Sequence, residues 1–160
     1  MKNGAAEWPY GTWDFVRESN RIESIHREPT VDEVRATSEF VGKTKLTIGD
    51  LVDLVKVYQP DARPRFVPGL DVRVGNHVPP RGGPHVQATL QALLDNVNEE
   101  RGRDISYAAH VAYETLHPFT DGNGRSGRAL WLWCVGGMAN APLGFLHHFY
   151  YQALSGARLP

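Results

Sequence analysis

Apolar residues recur every three to four positions in several stretches of this 160-residue chain, which is the spacing of amphipathic helices. In residues 13–26, four apolar side chains share one broad face: Phe15, Val16, Ile22 and Ile25. Charged side chains take most of the remaining positions, so the pattern predicts a first helix with one face against a core.

Start signals and further apolar stripes predict more helices. Thr30 with Glu33 matches the capping box of a helix that runs to about Val41. Thr47 is a suitable cap for a helix over residues 48–58. The remaining predicted helices cover residues 84–101, 107–116, 124 or 125 to about 138, and a last one that begins at Asn140 or Pro142. The expected fold class is all-α.

Residues 60–84 interrupt this helical pattern, because they hold most of the prolines in the chain. Two short apolar runs flank a Pro-Gly pair here: Phe66-Val67 and Val72-Arg73-Val74. This arrangement predicts a small β-hairpin within residues 64–76. The expected architecture is therefore a single domain, residues 1–160, formed by a helical bundle with one hairpin.

Composition narrows the classes of partner. Apolar residues make up 41% and charged residues 22%, which suits a globular domain. The formal net charge of −1 gives no basic field for nucleic acid. No apolar run has the length of a membrane span or a signal peptide, and the one cysteine, Cys134, excludes an internal disulfide. We expect a cytoplasmic protein without membrane or nucleic-acid partners, and leave open whether it forms a homo-oligomer.

Residues 117–128 read HPFTDGNGRSGR and carry the most specific chemistry in the chain. Pro118 disfavours helix at His117, so His117 is expected at a junction between a helix and a loop. An imidazole titrates near neutrality and can accept a proton from a nucleophile. Taken alone, the same histidine could simply close a helix by a bond to the backbone.

The next residues suit a metal-bound polyphosphate. Asp121 is a hard oxygen ligand, and Mg²⁺ often takes only one or two protein carboxylates. Gly122-Asn123-Gly124 precedes a helix, where backbone amides and the Asn123 side chain can donate to an anion. Arg125 and Arg128 lie on one face of that helix and can hold phosphate oxygens. Helix capping, an ordinary turn and a solvated basic face would explain these features singly, but their conjunction favours a phosphate site.

This segment resembles the signature of Fic-domain proteins at every specified position. The resemblance implies transfer of AMP from ATP to a Ser, Thr or Tyr hydroxyl of a target protein. It also implies that His117 is the base, that Asp121 holds Mg²⁺, and that the glycine-flanked amides form the anion hole. Arg125 would support the phosphates and Arg128 would grip the γ-phosphate. The residues of the predicted hairpin, 66–67 and 72–74, would form a flap that aligns an extended target segment.

A second resemblance lies in the first predicted helix. Ser19 and Glu23 match the inhibitory motif (Ser/Thr)-x-x-x-Glu-(Gly/Asn) of family members whose N-terminal helix blocks the site. The resemblance implies that Glu23 pairs with Arg128 and displaces the γ-phosphate. Ser24 departs from the motif, because the family has glycine or asparagine at that position, and this departure concerns how the helix ends.

Three alternative functions remain at this point. One is another transfer on the same scaffold: a different nucleotide, phosphocholine, or removal of AMP from a modified target. Gly124 argues against the kinase-like Doc branch, which usually has lysine there. The second is a nucleotide-binding regulatory module with little turnover, which the intact His117 disfavours. The third is a small interaction domain whose hairpin binds extended peptides.

Overall fold

A computed structural model describes residues 11–140, and these residues are mostly helical, as the sequence predicts. The helices are α1 (Thr12–Ile22), α2 (Val31–Val41), α3 (Ile48–Tyr58), α4 (Pro84–Glu99), α5 (Arg103–Leu116) and α6 (Asn123–Val135), followed by a 3₁₀ turn at Met138–Asn140. The rest of the last predicted helix lies outside the described residues. None of the described helices combines the length and apolarity needed to cross a membrane.

The two predicted caps are confirmed. The Thr30 hydroxyl accepts a hydrogen bond from the Glu33 N–H at 3.1 Å, and the Glu33 carboxylate accepts one from the Thr30 N–H at 2.8 Å. Thr47 and Asp50 make the same reciprocal pair at the start of α3. Since each pair satisfies two N–H groups that a helix start leaves without partners, these signals fix where α2 and α3 begin.

Three predicted helix ends were wrong, and local backbone geometry explains them. α1 ends at Ile22 rather than at residue 26, because Ser24 takes a left-handed conformation with φ of 61°. α5 begins at Arg103 rather than at residue 107, with Gly102 before it and no side-chain cap. α6 ends at Val135 rather than near residue 138, because Gly136 takes a φ of 92°.

The predicted hairpin was wrong in its pairing. Within the described chain, the runs 66–67 and 72–74 form no ladder with each other. The tight turn lies later, where Val74 and His77 exchange backbone hydrogen bonds of 3.0 and 2.9 Å around Gly75. The Leu70 carbonyl instead accepts a hydrogen bond from the Arg65 side chain, and the Asp71 carboxylate accepts one from the Gly82 N–H. Side chains therefore hold this segment in place of strand pairing.

Helix α6 runs through the middle of the bundle. All but one of its residues are buried, and apolar clusters from α2–α5 and from α1 and α2 cover it on two sides. Cys134 is 1% exposed, as expected for a small core residue, and burial raises its pKa to about 12. Because the start of α6 carries the residues of the predicted phosphate site, their backbone is anchored in the core.

Candidate active site

His117 and residues 120–124 line a pocket of about 390 Å³ at the junction of α5 and α6. Its walls are the end of α5, the following loop, the first turn of α6, part of the predicted flap, and the end of α1. The lining residues are Glu23, Val72, Arg73, Val74, Glu114, His117, Thr120, Asp121, Gly122, Asn123 and Gly124. Three parts of the chain that are distant in sequence, residue 23, residues 72–74 and residues 114–124, thus meet at one site.

His117 closes α5 in a left-handed conformation, with φ of 52° and ψ of 64°. Its Nδ1 atom lies 3.3 Å from the carbonyl oxygen of Glu114. Because a carbonyl only accepts, this bond places the ring proton on Nδ1. Nε2 is then the nitrogen that can take a proton from a nucleophile in the pocket.

Asn123 braces the loop that follows. Its Oδ1 accepts a hydrogen bond from the Phe119 N–H at 2.9 Å, and its Nδ2 donates to the Phe119 carbonyl at 2.8 Å. Both residues are buried, at 2% and 1% exposure. The expected donation from the Asn123 side chain to an anion is therefore not what this geometry offers. Its backbone N–H, at the start of α6, is the group left for that purpose.

Asp121 is exposed at the mouth of the pocket. Its Oδ1 accepts a hydrogen bond from the Gly122 N–H at 2.7 Å. The other carboxylate oxygen, Oδ2, takes no part in that bond and can bind another group. Residues 11–140 contain no group of three or more histidine, cysteine or acidic side chains that could hold a metal. A single carboxylate beside a phosphate site fits Mg²⁺, which completes its shell with phosphate oxygens and water.

Arg125 is buried beneath the pocket. One Nη2–H donates to Gln59 Oε1 at 3.2 Å, Nη1 lies 3.8 Å from Glu33 Oε1, and the guanidinium stands 5.2 Å from the centre of the Tyr58 ring. Burial lowers the pKa of Arg125, while Tyr58 and the nearby carboxylates oppose that change. Among the described residues, its Nε and Nη1 atoms have no hydrogen-bond acceptor. Since buried donors normally have a partner, these N–H groups are suited to bind an anion.

Glu33, which sequence analysis identified only as a helix cap, connects Arg125 to the N-terminal segment. Its carboxylate accepts hydrogen bonds from Arg27 at 2.7 and 3.0 Å and from Asn20 at 3.4 Å. Burial would raise the pKa of Glu33, but the bonds from Arg27, the Thr30 N–H and Asn20 outweigh it and lower the pKa. The sequence offers little to predict that Glu33 contacts Arg125, because its only visible signal is a capping box, which any helix start can have.

Arg128 is held by Ser19 and Glu23, the two residues of the predicted inhibitory motif. Its Nε donates to the Ser19 hydroxyl at 2.8 Å, and its Nη2 donates to the Ser19 carbonyl at 2.9 Å and to Glu23 Oε1 at 2.8 Å. The Glu23 carboxylate also lies against the first turn of α6, where a Cβ on Gly124 would collide with it. A carboxylate thus occupies the end of α6 that attracts anions.

The five predicted flap residues divide into two groups. Val72, Arg73 and Val74 line the pocket, while Phe66 packs on the core and Val67 is half exposed to solvent. Only the second run therefore lies at the same pocket as His117. The docking role of all five remains a prediction.

Comparison with known proteins agrees with the sequence signature. The chain matches the model of the Fic/DOC family over residues 20–135. It is 33% identical over 103 residues to the protein adenylyltransferase Fic of Drosophila willistoni, covering 58% of this chain and 20% of that protein. The corresponding protein of Drosophila persimilis is 34% identical over 104 residues, with the same coverage. The chain spans about a fifth of the length of these curated relatives.

Proposed function

Since this chain belongs to the Fic/DOC family, we propose that its pocket transfers AMP from ATP to a Ser, Thr or Tyr hydroxyl of a target protein. The observation that carries the proposal is the placement of the His117 imidazole and the amide-rich start of α6 in one pocket. The relatives that match are named protein adenylyltransferases, which supports the same reaction.

The reaction is an in-line displacement at the α-phosphorus. As the target hydroxyl attacks, His117 Nε2 takes its proton and a bond forms between the target oxygen and phosphorus. The bond from that phosphorus to the bridging oxygen breaks, and pyrophosphate leaves with the electron pair. A base of this kind contributes roughly 10²–10⁴ in rate, and the rest comes from positioning and charge neutralisation.

The start of α6 positions the phosphates. The backbone N–H groups of residues 123 and 124 donate to phosphate oxygens, because that of Gly122 is bonded to Asp121 Oδ1. The helix N-terminus adds a partial positive charge. Arg125 and Arg128 neutralise the charge farther along the chain of phosphates. Asp121 would hold Mg²⁺, which supplies further neutralisation of the phosphate oxygens when bound.

We further propose that Glu23 inhibits this reaction by competing with the γ-phosphate for Arg128. The carboxylate and the phosphate need the same Nη2–H, so both cannot bind it at once. The Glu23 side chain is 39% exposed, so its release needs no opening of the core. A coupling of about 1–3 kcal/mol between the two would change activity roughly 5–150-fold.

The deciding experiment compares the wild type with Glu23→Gly by intact-mass measurement after incubation with ATP and Mg²⁺, alone and with a protein extract. We expect Glu23→Gly to add AMP to itself or to a target, and Glu23→Gly with His117→Ala to add none. Glu28→Gln is the matched control, because Glu28 is exposed and pairs with Arg17 rather than with α6; it should behave as the wild type.

Other outcomes separate the alternatives. Labelling by another nucleotide or by a phosphocholine donor, but not by ATP, would assign a different transfer. Loss of AMP from a modified protein would assign the reverse reaction. ATP binding without any transfer in Glu23→Gly would favour a regulatory nucleotide-binding module and contradict the enzyme.

A further inference from the structure

Arg65 is fully buried although it lies in the irregular segment between α3 and α4. Its guanidinium donates four hydrogen bonds, all to backbone carbonyls. Nε donates to His117 at 2.7 Å, Nη2 to Leu116 at 2.9 Å, and Nη1 to Leu70 at 3.1 Å and Pro80 at 2.8 Å. One side chain therefore joins both arms of the 66–82 segment to the end of α5.

The backbone around Arg65 runs antiparallel to the catalytic loop. The Arg65 N–H donates to the Pro118 carbonyl at 2.8 Å, and the Thr120 N–H donates to the Arg63 carbonyl at 2.9 Å. Pro64 and Phe119 form the bridge between these two donors. Residue 65 is consequently fixed beside residue 117 by main-chain bonds before its side chain adds any.

The end of α5 needs such a partner. The last carbonyls of a helix have no partner within the helix, and they carry its partial negative charge. His117 also has a positive φ of 52° without being glycine. Such a conformation costs about 1–3 kcal/mol and persists only when the surroundings hold it. The Arg65 guanidinium takes two of these carbonyls, one of them from His117 itself.

A lysine could not replace this group. Arginine presents five donors in a planar fork and stays charged, whereas lysine is a compact charge with three donors on one nitrogen. Burial lowers the pKa of Arg65 and Asp71 raises it, but the ordinary value is so high that the group remains a cation. The four carbonyls lie on two sides of the guanidinium, so they need the fork.

We propose that Arg65 is the positioning residue of the catalytic base, because it holds His117 in the left-handed conformation that turns the imidazole into the pocket. The inference rests on the proposed function of His117. It adds a link between the base and the segment that carries Val72, Arg73 and Val74, since Arg65 binds both. Arg65 itself touches neither ATP nor the target.

The test uses Arg65→Gln and Arg65→Lys in the Glu23→Gly chain, with Arg81→Gln as the matched control. Arg81 lies in the same segment, is exposed, and its side chain makes no hydrogen bond within residues 11–140. We expect kcat for AMP transfer to fall about 10–100-fold in both Arg65 variants, as for a small misplacement of a reacting group. The Kd for ATP should stay within about threefold, because the phosphate groups bind α6.

Two further readouts separate positioning from mere stability. Hydrogen exchange should accelerate at the amides of residues 117, 119 and 120 in both Arg65 variants, at temperatures where each remains folded. In Arg65→Gln the acidic limb of the rate–pH profile should move to higher pH, because loss of a nearby cation makes the imidazole easier to protonate. Arg65→Lys keeps the charge and should show little movement. If Arg65→Gln does not fold, Arg65→Lys carries the kinetic and exchange tests.

An unchanged kcat in the Arg65 variants, or faster exchange confined to residues 66–82, would overturn the positioning role of Arg65. The proposed function would still stand in that case, provided that the Glu23→Gly protein transfers AMP. If Glu23→Gly transfers nothing, the proposed function fails instead. The exchange experiment still decides whether Arg65 holds residue 117, and unaltered exchange at residues 117, 119 and 120 would refute it.

Discussion

Oε1 of Glu23 lies where the side chain of residue 124 would begin, so the contact exists only because that residue is Gly124. The same oxygen accepts the 2.8 Å hydrogen bond from Arg128. From the sequence, the predicted reason for glycine at 124 is its amide, which can approach an anion closely. The structure adds a second reason, because any larger residue would push the Glu23 carboxylate away from Arg128.

Ser24, which lies just after α1, has a strained backbone conformation. We predict that Ser24→Gly strengthens the proposed inhibition by Glu23. A non-glycine residue at a φ of 61° costs about 1–2 kcal/mol, and glycine removes most of this cost. If the strain at Ser24 relaxes when the end of α1 leaves the site, glycine stabilises the inhibited state relative to the active one. Basal AMP transfer should then fall about fivefold. The melting temperature should rise by about 2–4 °C.

Ser24→Ala is the control, because alanine keeps the Cβ atom and the strain. It should leave both the transfer rate and the melting temperature near the wild-type values. A Ser24→Gly protein that transfers AMP faster than the wild type would show that the α1 end does not act as a latch.

The sequence predicted the parts of the fold that depend on local signals. Thr30 and Thr47 begin helices by bonds to residues three positions away, and such bonds are visible in the sequence. The end of α1 was not predicted, because Ser24 adopts a conformation that serine seldom takes and only the surrounding packing holds it. The hairpin was misplaced, because two apolar runs around a Pro-Gly pair do not show that Arg65 binds the carbonyl of Leu70.

The site divides in the same way. Residues 117–128 are contiguous, so their type and spacing are visible in the sequence. The structure brings His117 and residues 120–124 to one pocket, with Arg125 and Arg128 buried on the helix that follows. Gln59, Glu33 and Arg65 reach that site from other elements, and no pattern in the sequence joins them to it. The Asn123 side chain was assigned to an anion because amides suit anions, whereas the structure shows it bound to Phe119.

Gly127 lets α5 and α6 approach closely, and we predict that Gly127→Ala destabilises the bundle by about 1–3 kcal/mol. A Cβ there would collide with the Glu114 carboxylate and lie 3.0 Å from the Tyr113 ring, and both side chains are buried. Chemical denaturation measures the loss. Separation of the helices would also displace the end of α5 and lower AMP transfer.

Gly49→Ala is the matched control in α3. Residue 49 is exposed, and its Cβ would meet only the Thr47 hydroxyl at 3.5 Å, an ordinary contact distance. Alanine in a helix should stabilise the protein by about 0.5 kcal/mol. Equal effects of the two substitutions would show that the close approach of α5 and α6 is unimportant.

Glu33 compensates buried charge, and we predict that Glu33→Gln lowers the free energy of unfolding by roughly 2–4 kcal/mol. The neutral amide cannot balance Arg125, whose side chain is 4% exposed, and it loses the paired bonds from Arg27. Asp32→Asn is the control on the same turn. Its partner Arg35 is exposed, so that change should stay within about 0.5 kcal/mol. Similar losses in both variants would contradict the role of Glu33.

The same carboxylate should make the fold sensitive to acid. The pKa of Glu33 is lowered in the folded state from its ordinary value of 4.5, so the unfolded chain takes up the proton first as pH falls. The stability that Glu33 contributes is therefore fully present above pH 4.5 and is lost as pH falls through the lower folded value. We expect the contribution of Glu33 to the free energy of unfolding to be constant from about pH 7 to pH 5 and to decline below it.

Asp50 allows the contribution of Glu33 to be isolated. Its pKa is also lowered, but from an ordinary value of 3.8, because burial, which would raise it, is outweighed by bonds from Thr47 and Lys43. Its contribution should disappear at lower pH than that of Glu33. The free energy of unfolding, measured by chemical denaturation at each pH from 7 to 3, should depend less steeply on pH near pH 4.5 in Glu33→Gln than in the wild type. In Asp50→Asn its slope against pH should be reduced only below about pH 4. A Glu33→Gln protein with the wild-type slope near pH 4.5 would show that the Arg27 and Thr30 bonds do not favour the charged form.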